Sequence, residues 1–340
     1  MSNGAIVAKS KAVYGTFLKK EDYDNLMHRT SVGAIVSYLK ATQRYRALLE
    51  GADPALTHRA QIESLLGRGI FETYMKIRRF AASKRGGTAG FYIRSAEAEQ
   101  LAHAVIAVSS GSQQNFFISL PEYIMDWLSF DIAAAARAAS FPELLHALEG
   151  TIYFKPLQPY LESPETDVNK CLTAINACYL KWVFTHIDRE FSGRKKTDLK
   201  RFFLRKADSD NVLLCYRLKK FFDADDEQIK SLLVPYHSRV KPEDIDEALK
   251  NQDATAALIE LLFERCMKNG NDINGDYPEI DIARANYRFF RQRLALTTDE
   301  TEAVCALIVL METERANLQK IIEGIRYGMP PQEIESFIIV

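Results

Sequence analysis

Two sets of residues recur three times along the chain at intervals near a hundred, and this repetition constrains the fold more than any other feature. Leu39 and Leu48, Leu148 and Leu157, and Leu249 and Leu258 are pairs nine residues apart, with Thr42, Thr151 and Gln252 at one common offset between them. The copies are displaced by 109 and 101 positions. A second signature recurs independently as Glu97-x-x-Gln100-Leu101, Asp208-x-x-Asn211-Val212 and Glu314-x-x-Asn317-Leu318, displaced by 111 and 106. In its last two copies the match continues, with Ile229-x-x-Leu232-Leu233-Val234 beside Ile334-x-x-Phe337-Ile338-Ile339. A unit near a hundred residues is longer than the roughly 33 to 47 of common helical solenoids. The expectation is three similar bundles, over residues 20–130, 131–238 and 239–340.

Each bundle should be helical. Gly and Pro number 16 and 11 among 340 residues, below the usual roughly 7% and 5% of globular chains. Between Ala55 and Ala82, Ile62, Leu65, Leu66, Ile70, Tyr74, Ile77 and Phe80 step by three or four and line one face of a long helix. A second long helix is expected to start at Ser163-Pro164-Glu165, to run through Val168, Leu172, Ile175, Tyr179 and Trp182, and to close at Gly193 with Arg194-Lys195-Lys196. Ser140 with Glu143 forms a capping box for a helix over Phe141 to Glu149, and Gly150 suits a left-handed stop. Thr297 with Glu300 gives the same signal for a last long helix, which runs to Ile325 before Gly328, Pro330 and Pro331. No run of alternating apolar and polar residues with hairpin turns occurs, so the fold class is all-α. On a helix an i, i+3 pair shares a face. Glu97 with Gln100, Asp208 with Asn211 and Glu314 with Asn317 therefore read as buried structural groups bonded to a neighbouring segment.

Charge and cysteine content narrow the classes further. With 44 basic against 45 acidic residues the net charge is −1, so no global field draws the chain to nucleic acid or an anionic bilayer. Five cysteines, an odd number at irregular spacing, and an N-terminus without the order of a secretory signal point to a reducing cytosol. Leu101 to Pro121 lacks Asp, Glu, Lys and Arg, but Ser109-Ser110-Gly111-Ser112-Gln113-Gln114-Asn115 is too polar for hydrocarbon. No transmembrane helix is expected, and a membrane role would require a membrane-embedded partner.

The chemistry-bearing patterns are weak. No glycine is followed by lysine, so the phosphate-cradling loop of nucleotide hydrolases is missing. Gly67-Arg-Gly69 and Gly86-Gly87-Thr-Ala-Gly90 lack a strand-loop-helix setting and read as packing or turn glycines. The six histidines are never closer than 30 positions, so no local zinc signature exists. Cys171 and Cys178 share a helix face but form no Cys-x-x-Cys motif, and read as small buried apolar groups. Asp223-Ala-Asp225-Asp226-Glu227 lacks the central glycine of a calcium loop and suits a helix start. The basic stretch from Lys195-Lys196 to Lys219-Lys220, interleaved with Phe202-Phe203 and Phe221-Phe222, could bind nucleic acid, yet the balanced total charge favours a solvated rim or contacts to acidic partner loops. The apolar end Phe337-Ile338-Ile339-Val340 reads as buried in its own unit, like Leu232-Leu233-Val234.

The stretch Asp208-Ser-Asp-Asn211-Val212 through Leu233-Val234-Pro235, and above all Glu314-Arg-Ala-Asn317-Leu318 through Glu323-Gly-Ile-Arg326-Tyr327-Gly328-Met329-Pro330 to Phe337-Ile338-Ile339-Val340, resembles the C subunit of the bacterial and archaeal V-type (A/V-type) ATPases, counterpart of the d subunit of the eukaryotic V-ATPase. The chain departs from that pattern at Gln100, where Asn would stand, and at Pro235-Tyr236-His237, where relatives often have Pro-Gly-Gly. The resemblance implies a funnel of three helical bundles in pseudo-threefold arrangement. It implies a noncatalytic rotor adapter, peripheral to the cytoplasmic face of the membrane, that couples the central stalk subunits to the proteolipid ring and so ATP hydrolysis or synthesis to proton or sodium translocation. No catalytic residue, cofactor, metal or nucleic-acid partner is expected. A free-standing helical scaffold without ATPase partners would show the same repeats, and a helical enzyme would need converging polar groups in one pocket.

Overall fold

The computed structural model describes residues 4–79, 89–112, 120–267 and 277–340, and among these it contains helices and turns but no strand. In chain order the helices are α1 (Gly4–Tyr14), α2 (Lys20–Met27), α3 (Val32–Ala41), α4 (Arg59–Arg78), α5 (Ala89–Ser110), α6 (Glu122–Met125), α7 (Ile132–Arg137), α8 (Phe141–Ala147), α9 (Phe154–Leu161), α10 (Val168–Glu190), α11 (Gly193–Phe222), α12 (Asp226–Ser231), α13 (Pro242–Leu249), α14 (Ala254–Cys266), α15 (Pro278–Leu296), α16 (Glu300–Arg326) and α17 (Pro331–Phe337). Gly86, Gly87 and Gln113 to Asn115 lie outside the described residues.

Among the described residues, short polar side chains start seven of these helices by accepting the first free backbone N–H groups. Ser31 caps α3, Asp131 caps α7, Ser140 caps α8 and Asp253 caps α14. Three expected starts or stops move to a better-placed residue. The α10 helix begins at Val168 because the Asp167 carboxylate accepts from Lys170 N–H, whereas the Ser163 hydroxyl closes a local turn onto Glu165 O at 3.1 Å. It ends at Glu190, where Phe191 turns extended. Gly193, at φ +56°, opens α11 instead of closing α10. The α16 helix is capped by Asp299, which accepts from Glu302 N–H at 2.9 Å, while Thr297 donates to the Glu302 side chain.

The chain divides into two compact units, residues 1–89 with 283–340 and residues 90–282, the division falling inside α15. In the first unit α16 is the central helix, and α1, α4, α3 and α2 pack along it. Leu26, Ile35, Val36, Leu39, Leu49 and Ile62 close around Leu318, Ile321, Ile322 and Ile334, each essentially buried. Each such side chain contributes roughly 1.5–3 kcal/mol by leaving water.

The second unit holds two principal cores. One collects Leu101, Val105, Leu144, Leu148, Tyr153, Leu157 and Ile175 from α5 and α8 to α10. The other collects Val212, Tyr216, Ile229, Leu249, Leu258 and Leu262 from α11 to α14. The recurring leucines thus fall into three separate cores, with one register change: Leu48 is only partly buried, and its neighbour Leu49 is fully buried. Among the described residues no helix is long and apolar enough to cross a membrane.

Candidate functional site

The residues of the acid-x-x-amide signature sit on the long helices α5, α11 and α16, and all six are buried. On α11 the Asn211 amide donates to Val234 O at 3.0 Å and accepts from Val234 N–H at 3.1 Å. On α16 the Asn317 amide donates to Ile339 O at 2.6 Å and accepts from Ile339 N–H at 3.0 Å. Each asparagine therefore supplies both hydrogen bonds that an extended residue would otherwise find on a neighbouring strand. This accounts for the parallel apolar stretches: Ile229 and Ile334 are buried on the short helices α12 and α17, and Val234 and Ile339 are the residues held after them. Ile338 and Ile339 are buried while Val340 is exposed. Near the same end Arg284 donates to Ser336 O and Lys320 to Phe337 O, both at 2.8 Å, placing two cations on the negative end of α17. On α5 Gln100 occupies the corresponding buried position.

The acid one turn earlier fixes a different segment in each copy. Glu97 accepts from Ser129 N–H at 2.5 Å and from its hydroxyl at 3.0 Å. Asp208 accepts from Ser238 N–H and Arg239 N–H, both at 2.9 Å. Glu314 accepts from Leu18 N–H at 2.8 Å. In every case a fixed residue lies one or two positions before the N-cap of a short helix: Asp131 for α7, Lys241 for α13 and Lys19 for α2. The third acid finds its segment at the other end of the chain, which joins residues 283–340 to 1–89 in one unit.

A guanidinium accompanies each acid. Arg94 pairs with Glu97 at 2.5 Å and lies over the Trp182 ring, and Arg44 pairs with Glu314 at 3.1 Å. Arg205, on α11 three residues before Asp208 as Arg94 is before Glu97, interacts electrostatically with Asp208. Two copies also carry a tyrosine. Tyr45 donates to Glu314 at 2.7 Å, and burial followed by the Glu314 charge pushes its phenol far up. Burial and the Glu97 charge push Tyr153 up likewise. Burial raises the Glu314 carboxyl above its ordinary value against the pull of Arg44, Tyr45 and the Leu18 N–H. Burial raises Asp208 too, opposed by the N–H groups of Arg239, Ser238 and Val240. Such groups anchor backbone.

The long helices also end alike. Gly111, Asp223 and Gly328 adopt left-handed φ values of +63°, +46° and +68°, eleven, twelve and eleven residues past Gln100, Asn211 and Asn317. Ser112 N–H closes onto Ala107 O and Met329 N–H onto Gly324 O, whereas Ala224 N–H reaches one residue further back, to Leu218 O. The wider closing turn at Asp223 absorbs the extra residue.

Other candidates resolve into structural roles. Asp225 caps α12 by accepting from Gln228 N–H at 2.9 Å, and among the described residues no group of three His, Cys, Asp or Glu side chains could hold a metal. All five cysteines are buried free thiols. Gly67 and Gly69 lie within α4, the latter against Leu48, and Gly90 lies within α5 against Trp182. Sequence reasoning missed Leu18, Arg44, Tyr45 and Ser129. The one available signal was the recurring threonine, since Thr42 and Thr151 each donate to the carbonyl of the paired leucine at 2.7 Å, just before Tyr45 and Tyr153.

The family described as the ATP synthase (C/AC39) subunit matches residues 6–337. The chain belongs to this family. Members of the C/AC39 family are non-catalytic subunits of the ATP synthase complex, a rotary ATPase. The C subunit of the A-type ATP synthase from Archaeoglobus fulgidus is 23% identical over 346 aligned positions, which cover 98% of this chain and 95% of that protein. Within the C/AC39 match lie all three acid-x-x-amide pairs and both asparagine clamps apart from Ile339 and its neighbours at the very end.

Proposed function

We propose that this chain is the rotor adapter of a V/A-type ATPase, seated between the central stalk and the proteolipid ring on the cytoplasmic side and carrying torque from one to the other. Ion translocation is thereby coupled to ATP hydrolysis or synthesis, with no bond made or broken by this chain. The reading is supported by the membership in the C/AC39 family. The observation that carries it is the recurrence of one clamp on α5, α11 and α16, in which a buried acid ties each long helix to the entry of a short one. A torque-bearing connector must resist shear between its helices. Buried, charge-assisted hydrogen bonds to backbone supply that resistance together with the close-packed interiors of the cores.

In this reading the six signature residues are structural, and the three repeats, 20–130, 131–238 and 239–340 in sequence, give three equivalent cores, each joining the long helix of one repeat to the short helices of the next. The clamps phase them so that the last is completed by the N-terminal helices α2 and α3. Membranes from cells lacking this chain should hydrolyse ATP without pumping, and adding the purified chain back should restore pumping. Retained pumping in its absence would overturn the adapter role and leave a free-standing scaffold.

A further inference from the structure

We infer that the cleft framed by α2, α15 and α17 in the first unit binds a nucleoside diphosphate or triphosphate and holds it without hydrolysing it. Lys20, Tyr23, Asp24 and Met27 follow one another at steps of three, one and three, which puts them on one face of α2, and Arg284 and Arg288 lie one turn apart on α15. These two faces meet Gln332, Glu335 and Ser336 of α17 around a cleft of 410 Å³, a volume within the usual range of small-ligand sites. Tyr23, Met27 and Ile338 are buried and give the cleft its apolar side.

Both signs of charge line this cleft, yet among the described residues Lys20, Asp24 and Glu335 enter no ion pair. Opposite charges that share a cleft without meeting leave donors and acceptors on separate walls for water or a ligand to join. Arg284 is anchored by donating to Ser336 O at 2.8 Å, and Lys320 by donating to Phe337 O at 2.8 Å. Burial, and after it the charge of Arg284, holds the Lys320 ammonium below its ordinary value. Like charges therefore crowd this wall, and an anion placed against it relieves them.

The mixture of groups selects the ligand. Two arginines one turn apart suit phosphate oxygens, which a planar guanidinium meets two at a time. A simple polyanion would bring its charge up against Asp24 and Glu335. A ligand whose phosphates continue into a sugar and a base removes that conflict, because its hydroxyl and amino groups donate to the two carboxylates and its ring covers Tyr23, Met27 and Ile338. Binding without hydrolysis is the matching role, since no glycine is followed by lysine to build a phosphate-cradling loop.

The test is calorimetric titration of the purified full chain with ADP, with inorganic pyrophosphate and with adenosine. ADP should bind, pyrophosphate more weakly and adenosine more weakly still. Lys20→Ala with Arg288→Ala changes two exposed side chains, and should keep the wild-type melting temperature while weakening ADP and pyrophosphate by about tenfold or more. Asp24→Asn with Glu335→Gln should weaken ADP by about threefold to tenfold and strengthen pyrophosphate, because acceptors and repulsion are lost together. ADP that fails to saturate the chain by about 5 mM, or ADP binding untouched by both double variants, would overturn the site. Pyrophosphate binding as tight as that of ADP, with both strengthened by Asp24→Asn and Glu335→Gln, would overturn the nucleotide assignment in favour of a plain anion cleft. Every one of these outcomes leaves the adapter role standing, since torque transfer needs no ligand in this cleft.

Discussion

Asn317 holds Ile339 by both of its backbone polar groups at once, donating to the carbonyl at 2.6 Å and accepting from the N–H at 3.0 Å, with every partner buried. Asn211 does the same to Val234. Replacing either asparagine by alanine orphans a buried donor and a buried acceptor, at roughly 1–3 kcal/mol for each group left unsatisfied. Asn211→Ala and Asn317→Ala should each cost about 2–4 kcal/mol in urea unfolding. Asp at either site should fare little better, because a carboxylate accepts from the N–H but opposes the carbonyl. A loss below about 0.5 kcal/mol would show that the clamp is incidental.

The Glu314 carboxylate joins Leu18 N–H, Tyr45 and Arg44 in a buried network. Removing one partner of a buried ion pair leaves the other charge uncompensated, typically at about 3–5 kcal/mol. Glu314→Ala should reach that range, Tyr45→Phe about 1 kcal/mol, and the two should fall short of additivity because both remove the same hydrogen bond. In hydrogen exchange, Glu314→Ala should unprotect the Leu18 amide before the core of α16. A Leu18 amide as protected as in the wild type would separate the acid from the docking of the N-terminal segment.

Burial raises the folded-state pKa of Glu314 above the ordinary 4.5 and of Asp208 above 3.8. The folded chain then keeps these protons to higher pH than the unfolded chain does. Their contribution is complete below the ordinary values and is lost as pH rises through the folded ones, since stability falls with pH wherever the folded state binds more protons. The stability difference between wild type and Glu314→Gln should therefore shrink from pH 4 upward. A difference that grows with pH would mean that Arg44 outweighs burial.

Much of this fold is legible in the chain. Helical spacing locates α4, α10 and α16, and the recurring leucines locate three cores, because both signals are carried by side chains. What cannot be read is carried by backbone. Leu18 and Glu314 are 296 residues apart, and the N–H that meets the carboxylate leaves no trace in the identity of residue 18. Helix starts shift for a related reason: Ser163 and Thr297 are good caps, but Asp167 and Asp299 compete nearby with a charged acceptor. The asparagine clamps lie between these cases, visible as a repeated amide and a repeated apolar stretch whose pairing only the structure supplies.

The five cysteines provide a probe that reports folding without a mutation. Burial raises the thiols of Cys171 and Cys266 to about 11 and that of Cys215 to about 12. Thiolate is the reacting species, so both exclusion and protonation suppress modification. An aromatic disulfide reagent at neutral pH should modify the native chain negligibly within minutes and all five cysteines in denaturant. Rapid native labelling would show that a core opens locally.

The ends of the long helices give the last prediction, with two substitutions of opposite sign. Asp223 is the non-glycine residue with positive φ among the described residues, held at +46° where Gly111 and Gly328 stand in the other copies. A left-handed conformation strains a side-chain-bearing residue by about 1 kcal/mol, less for Asp than for most. Asp223→Gly should therefore stabilise by about 0.5 kcal/mol, and Gly328→Ala should destabilise by about 1 kcal/mol, at φ +68° with no side chain in the way of the new methyl. Because nothing within 4 Å crowds that methyl, any loss at Gly328 reads backbone strain alone. A Gly328→Ala chain as stable as the wild type in thermal melts would mean that α16 can close its final turn without the left-handed residue.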